Sequence, residues 1–151
     1  MQCASKSRLM AQEVPSSGVR ERFAMEVEAC RSRQAQTKLI VMVDADVQTV
    51  RHRIQQLDQA LQQAAIPLID HAADGIARLV PKRNIETWIL CLNEELINEE
   101  TDYKRTRNDW SPLIRPAIDT LFLWTRPNAV FPRSCVESLQ IGIRELQNLG
   151  L

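Results

Sequence analysis

Apolar residues along the chain follow two rhythms. In VRERFAMEVEACRSR, residues 19–33, Val19, Phe23, Val27 and Cys30 recur at helical spacing and form one stripe. Ser16-Ser17-Gly18 just upstream offers cap and turn chemistry, so a helix is predicted here. KLIVMV, residues 38–43, breaks that rhythm with a short unbroken apolar run rich in β-branched residues. Such a run is the pattern of a strand buried on both faces inside a parallel sheet. After Asp46 the helical period returns at Val47, Val50, Ile54, Leu57 and Leu61, until Ile66-Pro67 stops it. That spacing predicts a long amphipathic helix.

A second apolar run, Ile76-Ala77-Arg78-Leu79-Val80, ends at Pro81. Asn84 then serves as the cap of a helix whose stripe is Ile85, Trp88, Ile89, Leu92 and Leu96. Strand, helix, strand, helix is the order of an α/β fold: a small layered, Rossmann-like domain with a mostly parallel sheet flanked by helices. Ligands of such sheets collect beyond the carboxyl ends of the strands, here marked by Asp44 and Pro81. NEELINEETDYKRTRNDW, residues 93–110, is acidic first and basic second and is expected to be a solvated surface excursion. Pro112, Pro116, Pro127 and Pro132 punctuate the rest, with Ala117, Ile118, Leu121 and Phe122 as a short helical stripe between them. Ser134 and Glu137 make a capping box for a last, helical part with Val136, Leu139, Ile143 and Leu146 inward and Gly150 as its stop. Residues 17–151 are expected to form a single domain, preceded by a flexible or poorly structured segment, residues 1–16.

Composition narrows the function classes. The 151 residues carry 19 Lys+Arg against 19 Asp+Glu, so the chain is not a general coat for nucleic acid, and any such contact must be local. A 44% apolar fraction beside 25% charged residues suits a packed globular core rather than disorder. Cys3, Cys30, Cys91 and Cys135 are scattered without a CxxC pair, which speaks against zinc and against a disulfide scaffold. The N-terminus lacks the apolar run of a secretory signal, and no stretch of about 18 apolar residues occurs. A cytoplasmic protein without a membrane anchor is expected.

Chemistry concentrates in two places. Val41-Met42-Val43-Asp44-Ala45-Asp46 ends a hydrophobic strand in two carboxylates one residue apart, a donor pair for a hard cation such as Mg²⁺ or Mn²⁺. The plainer reading makes Asp46 the N-cap of the next helix and Asp44 a solvating strand end. Pro81-Lys82-Arg83-Asn84-Ile85-Glu86 places two cations before a helix N-terminus and a carboxylate in its first turn. Lys82 and Arg83 suit a phosphate, and Glu86 suits metal support or proton transfer, although the helix dipole alone also favours a Glu there. Lys104 and Arg105, with Arg107, either touch nucleic acid or balance Glu94, Glu95, Glu99, Glu100 and Asp102 in the same loop. His52 and His71 read as surface residues.

VMVDAD at a strand end, the following amphipathic helix, and LVPKRNIETWILCL with NEETDYKR resemble the small Toprim-fold proteins of bacterial defence and mobile-element genes. The Toprim fold is shared by primases, type II topoisomerases and the overcoming-lysogenisation-defect nucleases. The resemblance runs from about Ser17 to Leu151. It implies Mg²⁺ or Mn²⁺ held by Asp44 and Asp46, with Glu86 at the acidic position before Trp88. It also implies a Glu at the end of an earlier strand, for which Glu13 in LMAQEV is the upstream candidate.

Two function classes follow. One is a Mg²⁺-dependent nuclease, or the nuclease-like subunit of a phage-defence complex, with Asp44 and Asp46 as metal ligands, Glu86 and Glu13 as catalytic acids, and Lys82, Arg83, Lys104 and Arg105 on the nucleic-acid backbone. The other is a catalytically incomplete scaffold or inhibitor that binds a protein such as an ATPase or its own copy as a homodimer. Zero net charge and the short stretch before Val19 favour the second. Haloacid-dehalogenase-type phosphotransfer also opens on Asp-x-Asp, and Thr49 and Lys82 stand where it needs a hydroxyl and a lysine, but no acidic pair follows. Nucleotide-sugar transfer needs more chain than is present.

Overall fold

Among the described residues the sheet is the smallest a parallel fold allows, two strands joined through a helix. A computed structural model describes residues 16–33 and 37–150 of the protein. Its elements are α1 (Ser16–Ser32), β1 (Leu39–Met42), α2 (Val50–Gln63), β2 (Ile76–Leu79), α3 (Ile85–Leu92), α4 (Ser111–Trp124) and α5 (Glu137–Gln147). β1 and β2 run parallel with Leu39 opposite Ile76 and Met42 opposite Leu79. The ladder continues past the strands, since Val43 donates to the Leu79 carbonyl at 3.0 Å and Ala45 to that of Pro81 at 2.8 Å.

Strand side chains alternate faces, so this ribbon separates two cores. On one face Val41, Val43, Ile76 and Val80 meet Phe23 and Val27 of α1 and Leu57 and Leu61 of α2. On the other, Ala77 and Leu79 meet Trp88 and Cys91 of α3, Trp124 of α4, and Leu139, Ile143 and Leu146 of α5. The result is the mixed, layered α/β arrangement expected from the element order. Complete burial of β1 is not observed: Leu39 and Ile40 are half-buried and Met42 is 42% exposed. Among the described residues β1 pairs with one strand only, which leaves its other side less covered than a sheet-interior strand would be.

Several helix ends differ from the sequence expectation, each for a local reason. Thr49, rather than Asp46, caps α2 by accepting from the His52 amide at 3.0 Å. Val47 is consequently outside the helix and 77% exposed. Asn84 precedes α3 but makes no capping bond to a backbone amide: its Oδ1 accepts from the Thr87 hydroxyl at 3.4 Å, and its side-chain amide donates to Asp102 at 2.6 Å. α3 ends at Leu92, so Leu96 leaves the stripe and is 92% exposed. No Ser134 capping box forms; the Glu99 carboxylate, from the charged excursion, accepts the Ser138 amide at 3.0 Å in the first turn of α5. A distant carboxylate thereby meets the positive end of that helix. Gly150 stops the chain's last turn with φ +62°, a left-handed conformation suited to glycine.

α4 is one helix of 14 residues rather than a stripe between prolines, with Pro112 in its first turn and Pro116 inside it. Trp88 lies in the core as expected, its indole N–H donating to Ser138 Oγ at 2.8 Å. Arg31 fastens the end of α1 to the loop before β2, donating to the carbonyls of Pro67 (2.7 Å) and Leu68 (2.9 Å) and to both carboxylate oxygens of Asp74. Cys30, Cys91 and Cys135 are free and buried, and no helix among the described residues is long and apolar enough to cross a membrane.

Candidate acidic site at the carboxyl end of the sheet

Asp44 and Asp46 stand where β1 leaves the sheet. Ala45 between them is fully buried and held to Pro81 by its amide, so the extended backbone persists through this point and sends Asp44 to a half-buried position. Asp46 then turns the chain in a left-handed conformation, φ +56°, which Asp adopts more readily than most residues. Its carboxylate is 68% exposed. Because Thr49 caps α2, Asp46 has no capping duty to fulfil.

The underside of this turn is fixed by a residue that the sequence reading passed over. Arg53 of α2 is 7% exposed, and it donates to the Asp44 carbonyl at 3.0 Å and to the Ala45 carbonyl at 3.3 Å. Gln56 accepts from the same guanidinium at 2.7 Å. Burial and then the neighbouring Arg20 of α1 pull the Arg53 pKa below its ordinary value. The signal was present in the sequence, since Arg53, Leu57 and Leu61 follow one another at successive turns and all three are buried. An arginine on a buried stripe needs acceptors, and the strand-end carbonyls are those acceptors.

Glu86 enters from the first turn of α3. The Asp44 carboxyl is pushed up from 3.8 to about 6, by burial first, then by the charge of Glu86, then by that of Asp46. Lys104, from the charged excursion, and Arg53 act in the opposite direction on the same carboxyl. The charges of Glu86 and Lys104 thus act on the Asp44–Asp46 turn, and these residues come from three separate parts of the chain.

The remaining cations lie on the acidic turn and on the charged excursion. Arg83 pairs with Asp46, Nη1 to Oδ1 at 3.3 Å, and its Nε donates to the Glu100 carbonyl at 3.2 Å. Lys82 donates to the Asp46 carbonyl at 3.2 Å. Both therefore contact the acidic turn itself. Arg105 is exposed on the excursion, and Arg107 pairs with Glu95 at 2.6 Å. That last pair follows the charge-balance reading of the loop. Glu13 lies outside the described residues.

No family model matches the chain, and neither does any curated protein or solved structure. The donors of the acidic site are carboxylate oxygens, the ligands a hard divalent cation takes, and Asp44 is destabilised by negative neighbours that such a cation would neutralise. Against a ready-made centre, no three His, Cys, Asp or Glu side chains among the described residues are arranged as a metal cluster, and Asp46 is engaged by Arg83. A cation here would have to draw Asp46 away from Arg83 toward Asp44 and Glu86.

His52 is exposed beside Gln56 on α2, and His71 contacts Glu145 at 3.4 Å on the far side of the sheet. Neither belongs to the acidic site. Glu145 is 7% exposed; it accepts the Arg78 amide at 2.9 Å and pairs with the Arg78 guanidinium at 3.5 Å, tying α5 to β2.

Proposed function

We propose that the chain is a Toprim-like, Mg²⁺- or Mn²⁺-dependent nuclease, or the nuclease-like subunit of a phage-defence complex, acting on nucleic-acid phosphodiesters at the Asp44, Asp46 and Glu86 site. The observation that carries this reading is the half-buried Asp44 at the carboxyl end of a parallel strand, its carboxyl raised to about 6 by burial first and then by the charges of Glu86 and Asp46. Bound there, a divalent cation would offset phosphate charge and acidify a water. Asp44 and Asp46 would hold it, with Glu86 as its support or as the group that takes up a proton. Lys104 stands beside the acids and would meet the phosphate backbone; Arg83, released from Asp46, would join it.

The test is Mn²⁺ binding by calorimetry together with cleavage of single-stranded and duplex DNA and RNA, for the native chain and for Asp44→Asn with Asp46→Asn. The reading expects micromolar-to-millimolar Mn²⁺ binding and cleavage in the native chain, both lost in the double variant. A folded native chain that binds no Mn²⁺ would sink it. The second reading, a catalytically incomplete module that binds a protein, is favoured by one observation: the apolar residues left exposed on α4.

A further inference from the structure

α4 is apolar over a wider arc than the fold covers. Of its 14 residues only Ala117 and Trp124 are buried, with Leu113, Thr120 and Leu121 half-buried beside them on the side that meets α3. Adjoining that side, Ile114, Ile118 and Phe122 follow at intervals of one turn and are 43%, 55% and 57% exposed. A helix that is apolar on more than one side is normally covered on more than one side. The outer edge of this strip is lined by Arg115 and Asp119, which bond each other at 3.2 Å and project into solvent. Arg126 closes the far end, its guanidinium 4.1 Å from the centre of the Phe122 ring.

We infer that this strip is the contact between two copies of the chain, packed α4 against α4 in antiparallel fashion about a two-fold axis. A two-fold interface must complement itself, so a charge on it needs its opposite on the same surface. Arg115 and Asp119 meet that condition. With the axis level with Ala117, each Arg115 lies opposite the other copy's Asp119, on the same edge of the helix pair, while Ile118 sits beside its own equivalent and Ile114 interdigitates with it. At the middle of the strip the paired charges of Arg115 and Asp119 offset each other, and the single further cation, Arg126, lies at its far end. A 14-residue helix is ~21 Å long, so a contact made along α4 alone is a small one and the dimer is expected to be weak. This surface is separate from the acidic site, and the inference does not depend on the nuclease reading.

Sedimentation velocity across the micromolar range tests it. The native chain passes from monomer to dimer with rising concentration, and Ile118→Glu stays monomeric while keeping its thermal unfolding temperature. Arg115→Asp sets like charges against each other and weakens the dimer roughly tenfold. Adding Asp119→Arg to it restores the affinity, because the exchanged pair is again self-complementary. Ile118→Cys in a Cys3→Ser background yields a disulfide-linked dimer under air oxidation. A native chain that remains monomeric throughout, a dimer untouched by Ile118→Glu, or an exchange variant no tighter than Arg115→Asp alone would each overturn the inference.

Discussion

α2 and α4 are both 14 residues long, yet they stand in opposite relation to the fold. α2 is mostly polar, and the fold consumes nearly all the apolar surface it has: Leu57 and Leu61 are fully buried and Val50 and Ile54 are packed beside them. Even its one buried cation is used, because Arg53 holds the strand end that carries Asp44. α4 is richer in apolar residues, but Ile118 and Phe122 remain more than half exposed. A narrow stripe on a polar helix is completed within one chain, whereas a wide apolar arc is left with surface to place elsewhere.

The largest effect expected is in α2. Leu57→Ala, measured by urea unfolding, should cost about 2–5 kcal/mol, since Leu57 is fully buried and its loss opens a cavity in the core between α1, α2 and the sheet. A loss under about 1 kcal/mol would mean that α2 is no better anchored than α4. On the other face of the sheet, Gly142→Ala places a methyl carbon 2.6 Å from Trp88 Cη2, with the indole fixed by its bond to Ser138. Destabilisation of about 1–3 kcal/mol is expected from this overpacking, and tryptophan fluorescence should report the displaced ring.

Arg53→Met sharpens the link between α2 and the site. It removes the donors to the Asp44 and Ala45 carbonyls, for a loss of about 1–3 kcal/mol, and amide exchange should quicken through residues 44–49 before it does in β2.

Asp44 gives the pH dependence. Its folded pKa of about 6 lies above the ordinary 3.8, so the folded chain holds this proton more tightly than the unfolded chain does. Between those values the group's contribution to stability is lost as pH rises, the reverse of a salt-bridged carboxylate. Asp44→Asn should therefore be about as stable as the native chain near pH 4 and more stable by about 1–2 kcal/mol at pH 7, after allowance for partial solvent screening. Equal stabilities at pH 7 would remove the raised Asp44 carboxyl on which the proposed function rests. Smallest is Ile118→Ala, expected to change the stability of the dilute monomer by no more than about 0.5 kcal/mol. A cost comparable to that of Leu57→Ala would show that the exposed strip is part of the core after all.

Much of the fold follows from the chain's own rhythm. KLIVMV and the run from Ile76 were legible as strands because β-branched runs bounded by helical periods have few other uses. The Leu57 and Leu61 stripe, Trp88 in the core and the inward face of α5 were legible for the same reason, as was the placement of Asp44 and Asp46 at a strand end. Cap positions were less legible, since Thr49 and Asp46 are both good caps and only the backbone path decides between them.

Residue type and local periodicity determined the α/β order, the inward stripes of the helices and the acidic strand end, because each depends on neighbours within one or two turns of chain. Long-range placement was decided by tertiary structure alone. Glu86 and Lys104 reach Asp44 from beyond α2 and β2, Arg83 goes to Asp46, Glu99 caps α5, and Arg53 turns inward to hold a carbonyl. The same holds for α4, where the sequence shows apolar residues on a broad arc, but only packing against α3 divides them into Ala117 and Leu121 inside, Ile118 and Phe122 outside. Periodicity tells which residues share a face; which face another part of the chain covers is a property of the whole fold.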